Sequence, residues 1–207
     1  MRETHADHFE SLEVQAHAAR LGTWIFLCSE ILLFAGLFTL FAASRAHDPA
    51  GFHQGVLHAA RVIGSINTGV LLISSTTAAL GVQALRENRA RRAVGFVLAT
   101  ASLGLVFLAI KIGEYAMHIS EGILPGAHGT WFAAHADAPI YWTLYYLMTG
   151  IHAIHVCVGM GLLLWTAVRM RRGVVTHETS YRLDVVVLYW HLVDLIWIFL
   201  WPILYLA

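Results

Sequence analysis

Ionisable side chains sit inside stretches of this chain that are apolar enough to dissolve in lipid. Glu30 falls within LGTWIFLCSEILLFAGLF, His152 and His155 within TGIHAIHVCVG, and His191 and Asp194 within YWHLVDLIWIFLWPILYL. Holding a charged group at a bilayer centre costs roughly 3 kcal/mol on insertion scales, so each needs a partner or a task. Glu30 could bind or relay a proton, or hydrogen-bond a lipid or a neighbouring helix; a protonated carboxyl bonded to a backbone carbonyl is the bland alternative. His152 and His155, three residues apart, could hold a metal or bond groups on adjacent helices. Asp184, His191 and Asp194 share one helical face, because seven residues make almost two turns. Pairing of Asp194 with His191, His152 or His155 would lower the burial cost of both groups.

Lys111, Glu114 and His118 in KIGEYAMHISEG follow i, i+3, i+7 spacing and project from one side. Lys111 and Glu114 are placed for a local ion pair, and His118 is placed to extend its ring into the interface. The combination reads as a structural clasp. Asn67 and Ser74, seven residues apart among Ser75, Thr76 and Thr77, form a hydroxyl-rich face suited to close helix packing.

A metal centre fits this inventory poorly. A di-iron bundle needs Glu-x-x-His on two helices, whereas the chain offers Glu114 and His118 four apart. Haem with copper needs more histidines on more helices. His53, His58, His128 and His135 could at most bind zinc adventitiously. Cys28 and Cys157 lack metal or disulfide spacing and read as small buried hydrophobes. The residues suggest a helper within a membrane complex rather than an autonomous enzyme.

The elements that must carry these groups follow from composition. Of 207 residues, 58% are hydrophobic and 13% charged, too apolar for an ordinary soluble domain. Basic and acidic residues balance at 13 each, so nothing points to nucleic acid. Five stretches are long enough to cross a bilayer: Leu21–Ala43, Val62–Leu85, Val94–Met117, Ile140–Val168 and Leu183–Leu206. Hydrocarbon tolerates no unpaired backbone, so these are expected to be helices. The fold class is therefore an all-α, five-transmembrane-helix bundle over residues 21–207, preceded by a polar arm over 1–20 without a signal-peptide core. RENRARR at 86–92 and RMRRG at 169–173 place two loops in the cytoplasm, with the N-terminus inside and the C-terminus outside.

Five motifs, one on each successive span, resemble the subunit III family of the heme-copper oxidases. GTWIFLCSEILLFAGLF is similar to that family's helix with a Ser-Glu pair in mid-membrane, and INTGVLLISSTT to its hydroxyl-rich helix. IKIGEY resembles its Glu-Tyr helix end, TGIHAIHVCVG its T-G-x-H-x-x-H-V-x-x-G, and YWHLVDLIWIFLWPILY its closing Y-W-H-x-V-D-x-x-W. The chain begins where the third helix of the longer members would begin, so it resembles the five-helix bacterial form. Lys111 stands where some relatives have Gln, some relatives carry another basic residue at the position of His118, and the loop Gly122–Pro139 is longer than in compact forms.

The resemblance implies a non-catalytic subunit III of a respiratory terminal oxidase in the bacterial inner membrane. It implies no haem, copper or other metal on this chain, with haem and copper in partner subunits. The implied partners are catalytic subunit I, subunit II, possible further respiratory complexes and structural phospholipid. Glu30 corresponds to the family's carbodiimide-reactive acid near lipid and proton uptake. Glu114, His152, His155, His191 and Asp194 correspond to positions that knit the bundle. An accessory protein of nitric oxide reductase is a second expectation, because YWTLYYLMTGIHAIHV is similar to that sister group. A small proton or ion transporter built on Glu30 is a third, disfavoured because transporters commonly carry internal repeats.

Overall fold

A computed structural model describes residues 11–124 and 139–206, and among them the fold is helical throughout. The elements are α1 (Leu12–His47), α2 (Pro49–His58), α3 (Arg61–Arg86), α4 (Ala90–Ser120), α5 (Pro139–Arg171) and α6 (Tyr181–Tyr205). Five of these, all but α2, are long and apolar enough to cross a membrane. They contain the first four expected spans, and the fifth, Leu183–Leu206, ends one residue beyond α6.

The breaks between helices have local causes. Ser11 caps α1 by accepting from the Val14 amide at 3.2 Å. Asp48 does the same for α2 through the Gly51 amide at 3.1 Å, with Pro49 at the first helical position, where its missing donor costs nothing. This ten-residue helix has no counterpart among the expected elements. Its apolar side, Phe52 and Val56, packs inward, and Phe52 meets Phe41 and Tyr141 edge-on at 4.9 and 5.8 Å. Ten residues are too few for a spanning signal, and their apolar positions are sparse.

Part of the polar arm over 1–20 is helical. The helix of the first span starts at Leu12, so α1 has 36 residues and runs about 54 Å against a hydrocarbon core of about 30 Å. Residues 1–10 lie outside the described residues. So do His128 and His135, with most of the Gly122–Pro139 loop. His53 and His58 lie exposed on α2.

Helices α3, α4, α5 and α6 pack side by side in a ring, and α1 lies against α5 and α6. The last helix is the most enclosed and the first the least. α1 reaches the bundle through Leu27, Phe34 and Phe41, each 2% exposed or less and seven residues apart. That narrow seam leaves Trp24, Ile25 and Leu32 facing outward. Trp190 of α6 fills the ring's centre. A methyl group on Gly104 or Gly159 would lie 2.7 or 2.8 Å from its indole, so these two glycines make room for it. Lipid tails are as apolar as leucine, so such close packing and interhelical hydrogen bonds, rather than hydrophobic expulsion, hold the ring together.

Candidate functional site

Among the described residues polar groups gather in four places, and each joins helices distant in sequence. The most enclosed centres on α4. Lys111 Nζ donates to Glu114 Oε2 at 3.0 Å, to Tyr145 OH at 2.8 Å and to Tyr205 OH at 2.6 Å. All three ammonium donors are thereby used. Both tyrosine hydroxyls donate onward to Glu114 Oε1, at 2.7 and 2.8 Å. The result is a closed hydrogen-bonded ring that ties α4 to α5 and α6, with the ammonium 4.5 Å from the centre of the Tyr145 ring. Charges this deeply buried persist only when their remaining valences are filled, as here.

The Lys111–Glu114 ion pair stands as expected from the spacing, while Tyr145 and Tyr205 lie on other helices where no spacing links them to it. Their signal was weak, since aromatic residues near the end of a span read as interface anchors. His118 departs from expectation. It is 1% exposed, lies 4.7 Å from the Trp142 ring, and keeps its nitrogens 3.8 and 3.7 Å from Glu114 and Glu121. It is a buried member of this cluster, packed within the bundle rather than extended away from it.

The second place lies half-way along α1. Glu30 Oε2 lies 2.7 Å from His155 Nε2, joining α1 to α5. His155 Nδ1 is 2.8 Å from the Ile151 carbonyl. A carbonyl only accepts, so Nδ1 carries a hydrogen and donates. Nε2 and the carboxyl then share one further proton: either the acid is protonated and donates, or the imidazolium donates to a carboxylate. Phe34 packs edge-on against the imidazole at 5.3 Å, and the Tyr189 hydroxyl donates to the His155 carbonyl at 3.2 Å. Both side chains are 15% exposed, so the pair is sheltered without being sealed. Glu30 therefore has a partner, where the sequence showed an isolated acid.

The third place is the seam between α3 and its neighbours. Ser75 Oγ meets His191 Nδ1 at 2.7 Å. Trp190 and Trp197 donate their indole N–H groups to Ser74 and Thr68 at 3.1 and 3.0 Å. Thr77 joins Thr100 of α4 at 2.8 Å, and Asn67 Nδ2 donates to the Phe107 carbonyl at 3.4 Å. The expected His191–Asp194 pairing does not form. Asp194, 3% exposed, lies close to the same serine, and neither carboxylate oxygen bonds an imidazole. One turn of separation puts two groups on a common face but does not aim them at each other. His152 also goes its own way, fully buried between Phe107 at 5.6 Å and Trp197 at 5.1 Å. His152 and His155 thus have different neighbours, and no group of three or more His, Cys, Asp or Glu among the described residues could hold a metal.

The fourth place is the arginine-rich end. Asp184 Oδ2 receives Arg86 at 3.0 Å and lies 3.6 Å from Arg20, so one carboxylate bridges α6, α3 and α1. Grouping Asp184 with His191 and Asp194 by face did not reveal this role, because its partners belong to other helices.

Comparison with known proteins gives the arrangement a context. A family model described as cytochrome c oxidase subunit III matches residues 2–207. A probable quinol oxidase subunit 3 of Staphylococcus haemolyticus is 31% identical, covering 90% of this chain and 88% of that protein. The quinol oxidase subunit 3 of Bacillus subtilis is 29% identical, covering 98% and 96%.

Proposed function

The chain belongs to the cytochrome c oxidase subunit III family, a non-catalytic subunit of heme-copper terminal oxidases, and from that premise we propose that it serves an oxidase fed by quinol. The names of the similar proteins carry this choice of donor, since the two relatives above are named probable quinol oxidase subunit 3 and quinol oxidase subunit 3. Oxygen reduction belongs to the haem- and copper-bearing subunit I, with subunit II beside it. The nitric-oxide-reductase and transporter readings find no support in these matches.

In this reading the chain sits in a bacterial inner membrane with its arginine-rich loops in the cytoplasm. Two observations support that orientation. Arg86, Arg89, Arg91 and Arg92 lie between α3 and α4 or at their facing ends, and Arg169, Arg171 and Arg172 at the end of α5. The Arg20–Asp184–Arg86 contact gathers the N-terminal part of α1 at the same end.

The polar centres divide into two tasks. The Lys111–Glu114–Tyr145–Tyr205 ring and the α3 seam hold the bundle in one shape for docking. Glu30 and His155, sharing one exchangeable proton in mid-membrane, form a small proton store that supports uptake by the catalytic subunit. Asn67, His152, Asp184, His191 and Asp194 belong to the structural group.

Gentle detergent capture of the chain, with a reduced-minus-oxidised spectrum and donor assays, tests this reading. A co-purifying haem–copper partner that consumes oxygen with quinol is the expected result. Oxidation of cytochrome c alone would overturn the donor, and a haem–non-haem-iron partner that consumes nitric oxide would overturn the oxidase assignment.

A further inference from the structure

A groove of about 500 Å³ opens between α3 and α6 at the arginine-rich end of the bundle. Gln83, Arg86 and Glu87 of α3 line its mouth with Asp184 of α6, and the walls further in are apolar as far as His191. Asp184 is held by Arg86 and Arg20, and Gln83 donates to Glu87 at 3.0 Å. His191 lies about 10 Å beyond Asp184 along α6.

From His191 the polar contacts continue inward. Its Nδ1 meets Ser75 Oγ at 2.7 Å, which leaves Nε2 for the groove that the ring lines. Asp194 lies beside the same serine, 3% exposed, with no donor holding either carboxyl oxygen. A buried carboxyl left without a partner is costly, so it calls for a task. Ser75 also differs from its neighbours on α3. Ser74, Thr76 and Thr77 donate to carbonyls of their own helix at 2.8, 3.1 and 2.8 Å, a common habit of helical hydroxyls. Ser75 turns to α6 instead.

We propose that Asp194 is a proton-binding site, loaded and emptied from the arginine-rich end through His191 and Ser75. Unloaded, His191 Nδ1–H donates to Ser75 Oγ and the Ser75 hydroxyl points to the Asp194 carboxylate. A proton from water in the groove binds His191 Nε2. Nδ1 then passes its proton to Ser75 as Ser75 passes its own to Asp194. The ring ends neutral with its hydrogen on Nε2, the hydroxyl turned back to Nδ1, and the carboxyl protonated. The reverse sequence empties the site. Imidazole can accept at one nitrogen while donating at the other, and a hydroxyl does both, as the relay requires. The charged groups facing this file are Arg86 and Glu87 from α3, Asp184 from α6 and, through Asp184, Arg20 from α1. Glu30 and His155 form a separate pair on α1 and α5.

The inference rests on contacts within the bundle, not on which electron donor the oxidase uses. The test is infrared spectroscopy of the intact complex during a switch from H2O to D2O, at a series of pH values. A carboxyl C=O band that vanishes in Asp194→Asn and shifts on deuteration identifies the site. In the wild type its exchange is expected to run ahead of the α6 amides, which exchange only as the helix opens. Ser75→Ala and His191→Phe should each slow it about a hundredfold, the contribution of one positioned proton-transfer group. Ser75→Thr keeps the hydroxyl and should restore the rate. The absence of such a band at every pH would overturn the proposal, because Asp194 would then take up no proton. Wild-type exchange as slow as that of the α6 amides would overturn it without needing any variant to assemble. Unchanged exchange in Ser75→Ala, or a loss that Ser75→Thr does not restore, would mean that the hydroxyl carries no proton.

Discussion

Glu30 and His155, 125 residues apart in sequence, share one hydrogen bond of 2.7 Å between α1 and α5. Because His155 Nδ1 is committed to the Ile151 carbonyl, the pair holds one exchangeable proton. Glu30→Gln keeps a donor facing Nε2 and removes that proton. The complex is expected to assemble, with stability changed by no more than about 1 kcal/mol, while the number of turnovers before inactivation or the rate of proton uptake changes. Stopped-flow uptake and activity decay measure this. Unchanged values in both would leave the pair a purely structural contact.

Lys111 and Glu114 should behave as a unit with the two tyrosines. Lys111→Met strands a buried carboxylate and is expected to cost about 3–5 kcal/mol, with Glu114→Gln similar. The double variant should lose much less than the sum, and Tyr205→Phe only about 1 kcal/mol. Thermal unfolding of the purified complex, read through loss of this subunit, provides the cycle. Additive losses would show that the ion pair is not coupled.

Two glycines on one helix should respond oppositely to the same substitution. Gly159→Ala drives a methyl into Trp190, 2.8 Å away, and should destabilise by about 1–3 kcal/mol. Gly161→Ala, with nothing within 4 Å, should be neutral or stabilise by up to about 1 kcal/mol. Equal melting temperatures for the two variants would refute the packing of Trp190.

Ser75, rather than Asp194, holds His191. Ser75→Ala should weaken the bundle by about 1 kcal/mol, and adding His191→Ala should cost little more. A double-mutant cycle built on subunit retention in detergent checks the coupling. An additive pair would mean that the 2.7 Å contact contributes nothing.

Much of this protein was legible in its sequence, and the reason is the solvent. Lipid forces every spanning backbone into helices, so five long apolar runs determined five spanning helices, and local spacing determined the Lys111–Glu114 pair. Arginine-rich loops indicated an orientation by the same logic. What spacing could not supply was partnership across helices. A 3.6-residue period places His191 and Asp194 on one face, yet it says nothing about which neighbouring helix lies opposite or at what rotation. Only the packing of α1 against α5 brought His155 to Glu30, and only the approach of α6 to α3 gave His191 its serine. Tyr145 and Tyr205 joined the Lys111 ring for the same reason. Their hydroxyls converge because three helices meet there, and the sequence of any one helix carries no record of where the others stand.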